Sequence, residues 1–213
     1  MSEGEDRLTY INTNFKTAKV SVFFQDIPPD LEPASTTTAT MADASFQKEF
    51  LVTHNSYRSM HNTPPMTLSK ELTAAAQKWA DHLLQINALQ HSDGQDGENI
   101  YFMSSTAKIK LTGKEAVDSW YNEIKDYNWS NPGFSSNTGH FTQVVWKDST
   151  ELGVGLATDG KRVFVVGQYR QRGNVSRYFE KNVLPLAGGE LDGAENTSRD
   201  EGGVNPRTTC TLL

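Results

Sequence analysis

The stretch Gly139-His140-Phe141-Thr142-Gln143-Val144-Val145-Trp146-Lys147-Asp148-Ser149 decides how this chain of 213 residues is interpreted. A histidine stands between a glycine and an aromatic residue, and Thr-Gln, two valines and a tryptophan follow it. Such a run is improbable by chance, so we treat it as a signature. His140 is its candidate functional side chain, because imidazole is a common metal ligand in proteins.

The size and composition of the chain bound what it can be. A chain of 213 residues can form one sizeable core, and its 36% hydrophobic content suits a globular protein with polar ends. No segment approaches the roughly 18 apolar residues of a membrane span. The N-terminus is acidic and lacks the order of a signal peptide, and a single cysteine excludes an intramolecular disulfide. We therefore expect a cytoplasmic protein, since thiols stay reduced in that compartment.

Charge and composition divide the chain into three parts. The formal net charge is -6, but residues 1–43 hold three basic against seven acidic residues, and residues 186–213 hold two against five. Residues 31–45 are rich in Thr, Ser and Ala and predict a linker, whereas the Gly- and Glu-rich residues after Pro185 predict a tail. We therefore expect a domain over residues 44–185 between a mostly flexible N-terminal extension and a flexible C-terminal tail.

Local patterns predict three helices followed by a hairpin. Apolar residues recur at helical spacing over residues 46–57, and Ser69 is placed to cap a second helix. Thr112 and Glu115 have the spacing of a capping box and open a third helix. The pair Asp159-Gly160 lies between two β-rich runs and predicts a β-hairpin. Helices followed by strands indicate an α+β sandwich.

Four polar residues are the candidates for chemistry: His91, Glu98, Glu123 and His140. The first two lie in a Gly- and Asp-rich segment predicted to be a loop, the third lies on the third helix, and the fourth follows a glycine. Two imidazoles and two carboxylates can all bind zinc, or two can bind it while two orient them. The histidines lie far apart in the sequence, so spacing alone favours four surface or hydrogen-bonded polar residues over a metal site.

The contexts of these four residues resemble those of one protein family. His91 precedes Gly97-Glu98-Asn99, Glu123 ends the run Trp120-Tyr121-Asn122-Glu123, and His140 opens the signature. A second motif, Val165-Val166-Gly167-Gln168-Tyr169-Arg170-Gln171-Arg172-Gly173-Asn174, is similar to the other signature of that family. Over about residues 44–180 the chain thus resembles the CAP superfamily of cysteine-rich secretory, antigen 5 and pathogenesis-related proteins.

The resemblance implies a fold and a site. The fold it implies is an α+β, three-layer α-β-α sandwich with the four polar residues around a central cavity. In that cavity His91 and His140 would bind a divalent metal, with zinc as the first candidate. Glu98 and Glu123 would orient the two imidazoles or join the coordination.

The chain departs from the secreted members of the family. They usually carry cysteine where Gly167 and Arg170 stand, so this chain keeps the motif without those disulfides. Its cysteine-poor, signal-less pattern resembles most the intracellular, Golgi-associated branch, which implies a non-enzymatic protein that binds sterol, other lipids or anionic membrane surfaces. Two alternatives stay open: a metal-dependent hydrolase with a glutamate as base, and an interaction scaffold that acts through homodimerisation or its tails.

Basic residues late in the domain predict how a membrane would be contacted. The six are Lys161, Arg162, Arg170, Arg172, Arg177 and Lys181. Each basic residue near an anionic surface can contribute about 1 kcal/mol, although a solvated face offset by acidic neighbours explains the cluster equally well. Aromatic residues at 127–134 could line a cavity rim or cover a core edge. Nucleic acid is not expected, since the domain is nearly neutral and carries no nucleic-acid-binding motif.

The last four residues carry a separate signal. Cys210-Thr211-Leu212-Leu213 places the cysteine four residues from the end with a final leucine, which is the pattern of a geranylgeranyl acceptor. Threonine after the cysteine is less typical than an aliphatic residue, and an unmodified tail is the alternative. A single lipid chain anchors marginally, so a basic face would be a second attachment. The sequence thus predicts a peripheral protein on the cytosolic face of membranes, those of the Golgi among them.

Overall fold

The computed structural model describes residues 42–188 and 209–212. The helices in these ranges are α1 (Ala44–Met60), α2 (Lys70–Ile86), α3 (Gly113–Tyr121), α4 (Gly139–Val144) and α5 (Phe179–Asn182). A 3₁₀ helix over Asn122–Asp126 continues α3. The strands are β1 (Thr67–Leu68), β2 (Gly97–Ser104), β3 (Glu151–Thr158), β4 (Arg162–Arg170) and β5 (Thr209–Leu212). No helix in the described ranges is long and apolar enough to span a bilayer.

The strands form one mixed sheet in the order β1-β3-β4-β2-β5. β1 is parallel to β3, and every other neighbouring pair is antiparallel. β3 and β4 are joined at Asp159-Gly160, where Gly160 has a φ of 91°, so the predicted hairpin is confirmed. β2 pairs with β4 so that Glu98 lies opposite Gln168, which brings the first candidate carboxylate beside the second motif.

Helices cover both faces of the sheet, which confirms the predicted α+β sandwich. On one face, α2 packs Ala76, Ala80 and Leu83 against Ile100 and Phe164. On the other face, α1, α3 and α4 contribute to a larger and more aromatic core. Its buried aromatic side chains include Phe50, Trp120, Phe141, Trp146 and Tyr169. Burial of this apolar area supplies most of the stabilisation of such a domain.

The predicted starts of the second and third helices are confirmed. The Ser69 hydroxyl accepts a hydrogen bond from the backbone amide of Leu72 at the start of α2. Thr112 and Glu115 form a reciprocal capping box at the start of α3. Because a capped first turn satisfies amides that lack helical partners, these starts could be identified from the sequence alone.

α2 packs very closely against β3. A Cβ atom at Gly153 would lie 2.2 Å from the backbone of α2, and one at Gly155 would lie 2.4 Å from it. The Gln77 side chain acts as a strand partner, because its Oε1 accepts from the Leu156 amide at 3.1 Å and its Nε2 donates to the Leu156 carbonyl at 2.7 Å. β1 pairs only with the first two residues of β3, so a helix side chain completes the pairing further along.

Two segments differ from the expectations. β2 begins at Gly97, inside the segment predicted to be a loop, because pairing with β4 outweighs the local preference of glycine and aspartate for turns. β5 lies within the C-terminal segment predicted to be a flexible tail. The predicted N-terminal extension and most of the predicted tail lie outside the described residues.

Candidate functional site

Glu123 and His140 form a buried pair. Glu123 lies in the 3₁₀ helix after α3, and its Oε1 accepts a hydrogen bond from Nδ1 of His140 at 2.7 Å. Its Oε2 accepts from the backbone amides of His140 and Phe141 at 3.0 and 3.1 Å. The imidazole also stacks on Trp120, with the two rings 8° from parallel. One carboxylate therefore satisfies the start of α4 and fixes the orientation of the imidazole.

Glu98 and His91 repeat this arrangement at the other end of the site. Oε1 of Glu98 accepts from Nδ1 of His91 at 2.8 Å and from the backbone amide of Ser92 at 2.9 Å. Burial alone would raise the pKa of Glu98, but the hydrogen bonds from His91 and Ser92 outweigh it and lower that pKa. The Glu98 side chain is 6% exposed, whereas that of His91 is 50% exposed. This pair therefore presents its imidazole to solvent.

Asn99 connects the two pairs. It follows Glu98 on β2, and its Nδ2 donates to the backbone carbonyl of His140 at 3.1 Å. The same nitrogen lies 3.2 Å from the hydroxyl of Tyr169, which lies 2.9 Å from Nε2 of His54. A continuous buried hydrogen-bond chain thus runs from α1 to the signature. All four residues of the sequence hypothesis are brought into two pairs that this chain joins.

Two further histidines are buried outside these pairs. Nδ1 of His54 lies 2.9 Å from a backbone carbonyl of α1, and Nδ1 of His61 lies 2.6 Å from the carbonyl of Leu184. Since a carbonyl only accepts, Nδ1 carries the proton and Nε2 accepts from a tyrosine hydroxyl in both cases. Burial lowers the pKa of both residues, that of His54 to about 3. This role could not be predicted from the sequence, because a histidine in or directly after a helix looks the same whether or not it is buried.

The second motif holds the signature in place. Oε1 of Gln143 accepts from the backbone amide of Gly173 at 2.7 Å, and its Nε2 donates to the hydroxyl of Ser149 at 3.1 Å. Asn174 adopts a φ of 58° and accepts at Oδ1 from the hydroxyl of Thr142 at 2.5 Å. A Cβ at Gly173 would lie 2.8 Å from Gln143, so glycine is required there for this contact. The two motifs therefore form one unit.

Arg58 anchors the end of the signature from α1. The side chain is fully buried, and its guanidinium donates to four backbone carbonyls, those of Pro64, Val144, Trp146 and Ser149. Burial lowers the pKa of Arg58 to about 10, so the group remains charged at neutral pH. A buried cation is costly unless hydrogen-bonded, and these carbonyls provide that compensation. The sequence signal for it was absent, since arginine on a helix is usually exposed.

The donor chemistry of the two pairs fits a metal site of two imidazoles. Because each carboxylate accepts from Nδ1, the lone pair of the neutral ring lies on Nε2, which is the usual arrangement of a zinc-ligating histidine with its orienting carboxylate. Among the described residues, no three or more His, Cys, Asp or Glu side chains form a group that could hold a metal. The two pairs thus do not form one such group, and a divalent-metal site at His91 and His140 stays a prediction.

The six basic residues do not form an unpaired basic face. Arg162 pairs with Asp159 at 2.6 Å, and Lys181 pairs with Asp148 at 3.0 Å. Arg170 lies within 3.3 to 3.5 Å of three carboxylates, those of Glu71, Asp96 and Glu151. The side chains of Lys161, Arg172 and Arg177 are exposed. Acidic partners thus offset the charges of Arg162, Arg170 and Lys181.

The aromatic residues ahead of the signature are of two kinds. Tyr127 is buried and Trp129 half-buried, and both pack on Phe141 at ring-centroid distances of 5.5 and 6.1 Å. Phe134 is 64% exposed, yet its ring edge lies 3.2 Å from the position that a Cβ at Gly139 would take. This exposed ring therefore sits directly beside the residue that precedes His140.

Cys210 lies apart from the two histidine pairs. It belongs to β5, where its backbone pairs with that of Met103 on β2. The strand that carries Glu98 and Asn99 in its first half thus accepts the C-terminal segment along its second half.

Sequence comparisons place these motifs in a known group. A model of the cysteine-rich secretory protein (CAP) family matches residues 51–169. The chain is 45% identical over 152 residues to the Golgi-associated plant pathogenesis-related protein 1 of Homo sapiens, covering 68% of this chain and 96% of the relative. It is 42% identical over 145 residues to protein PRY2 of Saccharomyces cerevisiae, covering 67% of this chain and 42% of that protein. The chain thus spans nearly all of the human relative and less than half of the yeast one.

Solved structures share the fold. BmVAL-1 superposes with a TM-score of 0.54 at 22% identity, covering 68% of this chain and 84% of the other. NaASP2, solved with Zn²⁺, superposes with a TM-score of 0.55 at 22% identity, covering 68% and 88%.

Proposed function

The chain belongs to the cysteine-rich secretory protein (CAP) family, and from this we propose that it is a non-enzymatic, intracellular lipid-binding module with a divalent-metal site. The observation that carries the lipid proposal is the exposed ring of Phe134 beside Gly139 and the oriented His140. An exposed aromatic ring next to an ordered polar site offers both an apolar and a polar contact to a lipid or sterol.

The state of the two glutamates favours binding over hydrolysis. A general base needs an oxygen that can reach a water molecule. Both oxygens of Glu123 accept hydrogen bonds at 2.7 to 3.1 Å, and Oε1 of Glu98 accepts two. The contact of Gln168 Nε2 with Oε2 of Glu98, at 3.4 Å, is the weakest of the set. Both oxygens of Glu123 are thus occupied by hydrogen bonds that orient His140 and the start of α4, which supports the binding proposal.

The proposed metal is zinc, bound by His91 and His140. The NaASP2 structure was solved with Zn²⁺, and the donor chemistry of this site suits the same ion. When bound, zinc would supply a Lewis-acidic centre for an anionic or carbonyl group of a ligand. With two protein ligands, we expect weaker binding than at a closed site of four.

Calorimetric titration with zinc tests the metal proposal. The wild type should bind one ion, and His140→Ala should bind none at the same concentrations. The matched control is His82→Ala, because His82 lies on α2, half-buried against Trp79. Equal binding by the wild type and His140→Ala would refute the assignment.

The electrostatic part of membrane binding is assigned to Lys161 and Arg177, which are both exposed. Each residue near an anionic surface can contribute about 1 kcal/mol, and this attraction is screened by salt. Arg170 is expected to contribute little, since three carboxylates already surround it. The charge-reversal variant Arg177→Glu should therefore weaken binding to anionic vesicles more than Arg170→Glu does.

Vesicle flotation tests the lipid proposal. The protein should float with phosphatidylserine, phosphatidylinositol or sterol-containing vesicles at low salt, and to a lesser degree with pure phosphatidylcholine. Phe134→Ser should reduce flotation several-fold, whereas Val52→Ser should not, because Val52 is a similarly exposed apolar residue on α1. Failure to float with any of the anionic or sterol vesicles would overturn the proposal and favour an interaction scaffold.

Cys210 is the proposed site of lipidation, which would hold the protein on the cytosolic face of membranes. Its support is the C-terminal tetrapeptide and the Golgi-associated name of the human relative. Intact mass of the protein from eukaryotic cells should show an added geranylgeranyl group that is missing in Cys210→Ser. An unmodified mass would refute this part of the proposal without affecting the vesicle result.

A further inference from the structure

The C-terminal tetrapeptide, residues 210–213, is engaged by the protein itself. β5 comprises Thr209–Leu212 and pairs antiparallel with Tyr101–Ser104 of β2. Three of the four tetrapeptide residues therefore have their backbone in the sheet.

β2 is the outermost strand of the sheet once β5 is removed. An edge strand offers a row of free amides and carbonyls, which bind another extended segment by main-chain hydrogen bonds. In this chain the occupant is β5. Docking is intramolecular, so its extent is independent of protein concentration.

We propose that docking of β5 on β2 withholds Cys210 from any enzyme that must enclose the C-terminal tetrapeptide. A transferase or a carboxypeptidase has to surround the last residues in an extended form, and the same backbone cannot pair with β2 at that moment. The sheet edge thereby sets the fraction of molecules in which the tetrapeptide is accessible. The docking of β5 does not depend on lipidation. Any effect of docking on membrane attachment, however, rests on the proposed lipidation of Cys210.

Release of β5 from β2 should leave the first half of β2, which carries the candidate site residues, undisturbed. Residues 97–100 carry Glu98 and Asn99 and pair with β4, and residues 101–104 pair with both β4 and β5. Undocking leaves the ladder with β4 intact along the whole strand. The histidine pairs should therefore keep their zinc affinity when the tail is free.

Thr209→Pro provides the test, because proline is unfavourable in strands and this change leaves residues 210–213 unchanged. Thr209→Val is the matched control, since a β-branched residue keeps the strand. Time-resolved mass spectra during carboxypeptidase digestion should show loss of Leu212 and the residues before it about tenfold faster in Thr209→Pro than in the wild type and Thr209→Val. Hydrogen exchange of the amides at 101–104 should also accelerate in the proline variant.

The outcomes separate this inference from the lipidation proposal. Unprotected amides at 210–212 of the wild type, with equal digestion rates in the wild type and Thr209→Pro, would overturn the docking. Protection that increases with protein concentration would overturn docking within one chain and assign the edge to a second copy. If docking holds and purified geranylgeranyltransferase modifies Thr209→Pro faster than the wild type, both ideas are supported. If docking holds and neither chain is modified, the lipidation proposal alone fails.

Discussion

At the scale of single residues, Glu123 accepts hydrogen bonds both from backbone amides of α4 and from the imidazole of His140. Its two oxygens accept from the amides of His140 and Phe141 in the first turn of α4 and from Nδ1 of His140. Substituting alanine would leave all three donors without this partner in a buried place. The cost of an unsatisfied buried donor exceeds the net gain from forming its hydrogen bond.

Glu123→Ala is therefore expected to lower the free energy of unfolding by about 1–3 kcal/mol. It should also weaken zinc binding by about 10- to 100-fold, since the carboxylate orients a ligand. Urea unfolding and calorimetry measure the two effects. Glu180→Ala is the control, because Glu180 is exposed on α5 and should change neither quantity. A folded Glu123→Ala protein with unchanged zinc affinity would contradict the orienting role.

The buried histidines predict how stability depends on pH. The pKa of His54 falls from 6.5 to about 3 on folding, and that of His61 is also lowered. The unfolded chain thus binds more protons than the folded one below pH 6.5. The stabilisation is fully present above pH 6.5 and is lost as pH falls toward 3. For His54 alone, the loss between pH 6.5 and 4.5 should be about 2–3 kcal/mol.

Urea unfolding at pH 6.5 and 4.5 measures this loss. His54→Gln removes the titrating group, so its stability should decline less over the same range than that of the wild type. His82→Gln should retain the full decline, since His82 is only half-buried. An identical decline in His54→Gln and the wild type would show that other groups control the acid sensitivity.

The sequence identified the residues of the candidate site but not the buried residues that hold them in position. His91, Glu98, Glu123 and His140 lie within recognisable motifs, and the structure joins them in two pairs. The residues next to these buried positions in the sequence do not reveal their role. The buried residues include His54, Arg58 and Asn99, whose roles depend on contacts with residues distant in sequence.

At the scale of elements, the contact between α2 and β3 has little tolerance for added volume. A Cβ atom at Gly155 would lie 2.4 Å from the backbone of α2, so the helix and strand would have to separate. Gly155→Ala should lower the free energy of unfolding by about 1–3 kcal/mol, as overpacking of a core does. Gly133→Ala is the control, because no atom lies within 4 Å of the added Cβ there. Equal urea midpoints for the two variants would contradict this close packing.

The elements that the sequence predicted well are those with local capping or turn signals. Ser69, Thr112 and Asp159-Gly160 mark α2, α3 and the hairpin by residue types that act within a few positions. β2 and β5 have no such signals, because strand pairing between distant segments decides them. Gln77 is a similar case, since a helix side chain completes the pairing of β3.

At the scale of the whole molecule, the described fold is built without the cross-links that the resemblance associates with secreted members. Where those members usually carry a cysteine, Gly167 lies against Phe50 and Trp120, with 3.3 and 3.4 Å between ring atoms and the position of a Cβ. Aromatic packing occupies this part of the core instead of sulfur. The second core, beneath α2, covers the opposite face of the sheet. Helices on both faces allow a chain of this length to bury enough apolar area to fold unaided.

The stability of the molecule should accordingly be insensitive to reductant. With one cysteine, the chain has no intramolecular disulfide to lose, whereas a native disulfide typically contributes about 2–4 kcal/mol. Urea midpoints with and without dithiothreitol should therefore agree for the wild type, within about 0.5 kcal/mol in free energy of unfolding. Cys210→Ser should give the same value in both conditions, because it also removes pairing between chains through that thiol. A fall of about 2 kcal/mol in reductant for the wild type alone would mean that a disulfide between two copies contributes to the folded state, which would favour the scaffold alternative.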